Sequence, residues 1–424
     1  MSVNVPFTNS ILDISSGNNS IVYVPAFPGA YFYNAYPANA NGWFIPIYTS
    51  ISNFSHNGFL PLFNDVDKQV TVLPGYTLEM YSSIDYTPIA YTIDNSAGTD
   101  IKVSVIPTNN TGSSCKLYYT PASTGIKSEL TYKFNPVLIS NGNYSYLSYG
   151  GSDYVVFSYT SGTGAIMNRT TRDLSAQVLL VAGGGAGGLE ATNNMGGGGG
   201  GGGVAYGTMT FIKNTTYNCT VGNGGQTGGA QGGDSLITTS TLTLRVKGGG
   251  GGGAKFTAPT NGGSGGGATD ATTYGLVQGG TNDAAIQATV NFYGNNGGQD
   301  AGSSNVAGGG GGAGGPGGNG IDPSSGAGGA GRTWPVNGVT YAGGGGGGQQ
   351  SNGPAPAAGG SGGGGTGGRA NTSGNLVPSQ PGSGTNGLGG GGGGSFVTYS
   401  GRVSTLGTGG SGIIIIAIKM SDIY

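Results

Sequence analysis

The sequence predicts an all-β protein in two parts: an N-terminal β-sandwich region, followed by a β-framework that carries packed polyglycine II-type loops. Three observations carry that prediction. Residues 1–149 are short runs of Tyr, Val, Ile, Thr and Phe broken by Pro, Gly, Asn and Ser, with no helical pattern. Beyond them lie unbroken glycine runs of eight, six, five, six and six residues, beginning at Gly196, Gly248, Gly308, Gly343 and Gly389. Two short apolar runs, Val178–Val181 and Ile413–Ile418, bracket that tract.

In chain order, strands are expected at Ser20–Val24, Trp43–Tyr48, Gln69–Leu73, Thr77–Tyr81, Ala90–Ile93, Ile101–Ile106 and Lys116–Tyr119. Frequent short strands closed by turn residues fit a sandwich or small barrel. Only ten of the 97 glycines fall in residues 1–150, so the composition changes sharply there. The expected division is 1–149 for the N-terminal region and 150–424 for the glycine-rich domain.

Glycine brings no side chain to a core and loses about 1–2 kcal/mol or more of backbone freedom on ordering. An ordered polyglycine therefore needs hydrogen bonds to neighbouring segments. The extended helix of three residues per turn leaves every backbone group free for such bonds, and eight glycines at Gly196–Gly203 would form a rod of roughly 25 Å. Collagen is set aside, because Gly-X-Y periodicity is absent and the chain has only 19 prolines. The two bracketing runs are short, continuous and bounded by glycine, as fully buried central strands are. The glycine runs begin at unequal intervals, so no solenoid of equal repeats is expected.

Composition limits the function. Fifteen basic and 17 acidic residues leave a net charge of −2, and charged residues make up 8%, so no nucleic-acid surface is expected. The N-terminus lacks the basic and apolar regions of an export signal, and no apolar run is long enough to span a bilayer. Cys115 and Cys219 could pair, but their placement suggests neither a disulfide framework nor a zinc site. Asn-X-Ser/Thr triplets such as those at Asn53, Asn143, Asn168, Asn214 and Asn371 are expected to be unmodified.

Within residues 66–120 a Pro-Gly turn leads into a strand, the aromatic pair Tyr81 and Tyr86 follows with four residues between, and Asn109, Asn110, Ser113 and Ser114 come late in the segment. This pattern resembles a βγ-crystallin motif, and the resemblance implies that those four residues stand where that family can place calcium ligands. Calcium wants six to eight oxygens, preferably with carboxylates, and this loop offers neutral ones; a polar turn between strands is the other reading. From about residue 150 onward, Tyr154–Thr160, Gln177–Gly185, the octaglycine, Tyr217–Gly225 and Gly409–Ile418 resemble the glycine-rich domain of giant-virus virion proteins and phage tail fibres.

No catalytic set is expected. Gly183, Gly185 and Gly188 formally match a dinucleotide fingerprint after a strand, but more glycine follows where a helix should begin. No Gly-Lys-Ser/Thr occurs. His56 is the one histidine and sits in a turn-like Ser-His-Asn-Gly setting. Asp65, Asp67, Glu79 and Asp85 resemble ordinary surface carboxylates more than a glycosidase pair. No catalytic, cofactor or metal residue is assigned. The aromatics between the runs, Phe256, Tyr274, Phe292, Tyr293, Trp334 and Tyr341, suit either receptor contact or packing within an assembly.

The resemblance implies a structural virion protein: a minor capsid or capsid-associated component of a large double-stranded DNA virus, located in the virion. Its partners would be other capsid proteins or further copies of itself, with no nucleic acid. The alternative is a receptor-binding adhesin at the tip of a phage or viral fibre, whose partner would be a host receptor.

Overall fold

The structure is a computed structural model. It describes residues 137–423 apart from 171, 190–194, 241–242, 256, 270–275, 277–280, 283–287, 301–304, 351–354, 371–378 and 397–403. Before 137 it describes 22–23, 30–34, 44–47, 68–72, 75–81, 89–97, 102–106, 114–120 and 128–129. In the first region the strands are β1 (Val22–Tyr23), β2 (Ala30–Asn34), β3 (Phe44–Ile47), β4 (Lys68–Val72), β5 (Tyr76–Tyr81), β6 (Ile89–Asp94), β7 (Lys102–Ile106), β8 (Ser114–Tyr119) and β9 (Ser128–Glu129). The second region holds β10 (Val137–Ser140), β11 (Asn143–Tyr149), β12 (Ser152–Tyr159), β13 (Thr163–Asn168), β14 (Leu174–Val181), β15 (Val204–Phe211) and β16 (Thr216–Thr220). It continues with β17 (Ser235–Thr238), β18 (Thr243–Val246), β19 (Thr281–Asn282), β20 (Ala288–Tyr293), β21 (Arg332–Thr333), β22 (Thr340–Tyr341) and β23 (Ile413–Lys419). The described part of the chain is all-β, with one four-residue helical turn, Met420–Ile423.

In the first region, two four-stranded sheets run β3-β2-β4-β7 and β6-β5-β8-β9. The central strand β5 is buried along Tyr76–Met80, including Glu79, so one of the four carboxylates considered above lies inside a sheet and not on the surface. Asp65, Asp67, Asp85, His56 and residues 109–113 lie outside the described residues.

The second region is built on a sandwich. A six-stranded sheet, β11-β12-β23-β14-β15-β20, faces a seven-stranded one, β1-β10-β13-β16-β17-β18-β19. As the sequence predicts, β14 and β23 are central strands; the structure places them side by side, paired antiparallel from Ala176↔Ile418 to Val181↔Ile413. Alternation along a strand sends successive side chains to opposite faces. Val178, Leu180, Ile414, Ile416, Val155 and Phe157 therefore enter the core between the sheets, where Ile139, Ile166, Tyr217, Cys219, Ile237 and Leu244 meet them. Leu179, Val181, Ile415, Ala417, Tyr154 and Val156 point the other way, into a second core closed by Trp334, Val336, Tyr341 and Ala342. A sheet buried on both faces accounts for the unbroken apolar runs: Val178–Val181 and Ile414–Ile418 are buried throughout, and Ile413, at the strand end, is half-buried.

The hairpin of β11 and β12 turns at Gly150 and Gly151, both with positive φ, so residue 150 is the tip of a hairpin. The sheets of the glycine-rich domain take in 137–149 as well.

Candidate functional site

The strands of the sandwich run on into polyglycine. Val181, at the end of β14, pairs with Val204, at the start of β15, and with Ile413, at the start of β23; Val204 in turn pairs with Tyr293, at the end of β20. The glycine segments that follow or precede these residues thus leave the sandwich from one end and continue side by side as rods.

The hydrogen bonds of Gly196–Gly203 have a strict period of three. Gly196, Gly199 and Gly202 donate to the carbonyls of Ser395, Gly392 and Gly389. Gly197, Gly200 and Gly203 donate to Gly253, Gly250 and Lys247, and Gly198 and Gly201 to Gly308 and Gly311. The carbonyls accept with the same period. Gly345 and Gly348 donate to Gly199 and Gly196, Gly185 and Gly188 to Gly200 and Gly197, and Gly267 and Ser264 to Gly198 and Gly201. The octaglycine is therefore the centre of a hexagonal arrangement: three flanking segments take its N–H groups and three supply donors to its carbonyls. Neighbours run parallel (Gly198→Gly308, Gly201→Gly311) or antiparallel (Gly197→Gly253, Gly200→Gly250), and six of them surround one rod where a β-strand has at most two. This is the packing that a three-residue helix without internal hydrogen bonds permits.

Only glycine fits inside it. A Cβ on Gly199 would stand 2.7 Å from the Gly185 carbonyl carbon and 2.8 Å from that of Ala186, with the Gly185 oxygen closer still. The same crowding by a neighbouring carbonyl recurs through the runs. Apart from the methyl group of Ala186 in rod 182–188, side chains are confined to rod ends and to the outer rods. Asp234 accepts from Gly248 N–H at the start of one rod (2.9 Å) and lies 3.4 Å from Lys247 Nζ. Buried Ser235 donates to the Val181 carbonyl (2.8 Å) and accepts from Gly222 N–H (2.9 Å), tying β14 to the first outer rod.

The formal nucleotide motif is absorbed by the lattice. Gly183, Gly185 and Gly188 donate to Gly233, Gly200 and Gly197 and are buried, so their amides are not free to cradle a phosphate. Among the described residues no three His, Cys, Asp or Glu side chains gather into a metal site. Cys219 is a free, buried thiol, and burial pushes its pKa far up. Asn168 is buried, and its amide donates to the Phe211 and Arg172 carbonyls, so this triplet Asn is a fold-holding residue.

The aromatics correct one expectation. Trp334 and Tyr341, expected to contact a receptor or a neighbouring subunit, are 1% and 3% exposed and pack inside the chain on the outer face of the six-stranded sheet. The β21–β22 hairpin carries them there because Trp and Tyr can bury large rings while Tyr341 Oη keeps Asn337 as donor (2.8 Å). Tyr293 stacks on Tyr206 (4.8 Å) beneath Arg332, whose Nε donates to Tyr206 Oη (3.2 Å). Burial disfavours the Tyr206 phenolate, but the hydrogen bonds with Tyr293 and Arg332, together with the Arg332 charge, outweigh it and lower that pKa. Phe256 and Tyr274 lie outside the described residues.

At the end remote from the sandwich, Met195, Ala307, Ala370 and Phe396 form a small third core beside buried Gln349. Each stands at the end of a rod, and among the described residues the chain reverses there at Ala254–Thr257 and Ile321–Ser324, each closed by a pair of backbone hydrogen bonds. The rods are thus held between a sandwich at one end and a cluster of chain reversals at the other.

An all-β sandwich prolonged into a polyglycine lattice defines the class. The glycine-rich domain family model matches residues 141–419, and the chain belongs to that family. No curated protein matches the chain.

Proposed function

We propose that this protein is a structural virion component, a minor capsid or capsid-associated protein of a large double-stranded DNA virus, acting through protein–protein contacts. The observation that carries the reading is the hexagonal rod lattice. It consumes the backbone donors of the octaglycine internally and excludes side chains, so it supplies stiffness and defined surfaces and contributes no reactive groups. No catalytic role or cofactor forms part of the reading, and no helix among the described residues is long and apolar enough to cross a membrane. A crystallin-like reading of 66–120 is supported by the strand path: β5 and β6 pair, the chain leaves that sheet for β7, and it returns at β8 beside β5. A second reading, a receptor-binding adhesin, is favoured by one observation, the gathering of chain reversals at the far end of the lattice.

Hydrogen exchange on purified particles and on the isolated protein separates these readings. Protection of 254–260, 349–355 and 396–404 only in particles supports the structural role. Equal exchange in both states, with the chain present in the particle, moves the assignment to the adhesin. Absence of the chain from purified particles refutes both.

A further inference from the structure

Three outer rods lie side by side on one face of the lattice. The rod 404–412 is in the middle: Gly409 and Gly412 donate to Gly225 and Gly222 on one flank, while Gly384 and Gly387 on the other donate to Thr408 and Ser411. Because the rods have three residues per turn, every third position faces outward. Asn223 and Gln226 face out on the first rod, and Gln380, Ser383 and Asn386 stand beside Thr405, Thr408 and Ser411 on the other two.

Over this face, next to the sandwich, lies an open groove of about 590 Å³ lined by Thr160, Ser161, Asn223, Gln226, Asn386 and Ser411, with Gly224 and Gly387 between them. Every lining side chain is polar and uncharged. Part of this polarity is committed: Asn386 Oδ1 accepts from Ser411 N–H (2.9 Å) and Gln226 Nε2 donates to the Gly224 carbonyl (2.8 Å). The Asn386 amide nitrogen and the Gln226 side-chain oxygen are left over. Asn223, Thr160 and Ser161 are exposed and make no side-chain hydrogen bond among the described residues. The groove therefore offers donors and acceptors together, with no charge.

We infer that this groove is a binding site for a neutral oligosaccharide. The donor set selects that class. A phosphate or carboxylate would need a cation and a cationic ligand would need a carboxylate, and neither is present in this lining. Hydroxyl groups both donate and accept, and carboxamides and hydroxyls match them in either sense. Asn223 and Gln226, three residues apart on one rod, are separated by about 9 Å along it, the length of a disaccharide. The glycine backbone between them lets a flat ring approach closely. The site stands at the sandwich end of the lattice, away from the chain reversals, and does not depend on whether the protein is a capsid component or an adhesin.

The test uses the full-length protein with maltohexaose, cellohexaose, chitohexaose and mannohexaose as probes, followed by titration calorimetry and amide chemical-shift mapping. At least one probe should bind with a Kd in the millimolar range or tighter and shift the amides of 160–161, 223–226 and 386–387. Asn223→Leu should weaken that binding at least tenfold without a change in Tm, because the side chain is exposed and supports nothing. Asn386→Asp, which keeps the acceptor for Ser411 and removes the donor, should weaken it several-fold. The inference is overturned if none of the four binds at 10 mM, if binding is unaffected by Asn223→Leu, or if the shifts map to the far end of the lattice.

Discussion

In the six-stranded sheet a central residue such as Leu179 has a strand on each side, and its side chain supplies the contact with the layer above. In the lattice a residue such as Gly199 has no side chain, and six segments surround the rod to which it belongs. Both satisfy their backbone groups, but they differ in what else they contribute. A buried Leu or Ile contributes about 1.5–3 kcal/mol by leaving water, whereas each lattice glycine has a hydrogen bond worth about 1 kcal/mol net against about 1–2 kcal/mol of backbone entropy. The lattice is therefore close to neutral by itself. It stands because strands on the sandwich deliver its rods already aligned, at the paired residues Val181, Val204 and Ile413. The two regions should behave as one cooperative unit, with the sandwich as the source of stability and the lattice as its extension.

The sharpest way to break this comparison is a side chain in the central rod. Gly199→Val should cost about 4 kcal/mol or more, because neighbouring rods must separate and several inter-rod hydrogen bonds are lost together. An unchanged Tm in a thermal melt would mean that Gly196–Gly203 is a loop and not a packed rod. Next in size, Trp334→Ala empties the second core and should cost about 3 kcal/mol. It should lower the melting of the sandwich and the lattice equally; two separate transitions by calorimetry would show that they are not coupled.

A smaller change tests the joint between the regions. Ser235→Ala removes the buried hydroxyl that bridges the Val181 carbonyl and Gly222 N–H, and should cost about 2 kcal/mol by chemical denaturation. An effect under about 0.5 kcal/mol would show that the joint does not depend on it. The smallest effect is in alkali. Burial raises the Cys219 thiol from its ordinary value of 9.0 and the Tyr159 phenol, which donates to the Ala165 carbonyl, from 10.0. Both groups stay protonated in the fold while the unfolded chain releases its protons. The Cys219 contribution is thus intact below pH 9 and the Tyr159 contribution below pH 10, and each falls above that limit by about 1.4 kcal/mol per pH unit. Denaturation at pH 8 and pH 9.5 should differ in that direction, and Cys219→Ala should flatten the slope.

The same contrast explains what the sequence could and could not convey. Val178–Val181 and Ile413–Ile418 were legible as central strands because unbroken apolar runs between glycines have no wet face. The seven N-terminal strand expectations coincide with β1 and β3–β8 to within about two residues, since their β-branched and aromatic runs are closed by turn residues. The rod form of Gly196–Gly203 followed from the need to place eight unpaired amides. Which rod lies beside which could not be read, because identical residues carry no register. Trp334 and Tyr341 were misplaced for a related reason: they sit in short polar segments whose burial comes from a sheet distant in sequence. Asn223, Gln226, Asn386 and Ser411 come from three separated rods, and the only local signal was their spacing by threes.

Amide exchange of the isolated protein at neutral pH tests the central claim most directly. The account predicts that Gly196–Gly203 exchange as slowly as Val178–Val181, with both segments released together on global unfolding. Exchange of the octaglycine at the rate of an unstructured peptide, while β14 stays protected, would contradict it.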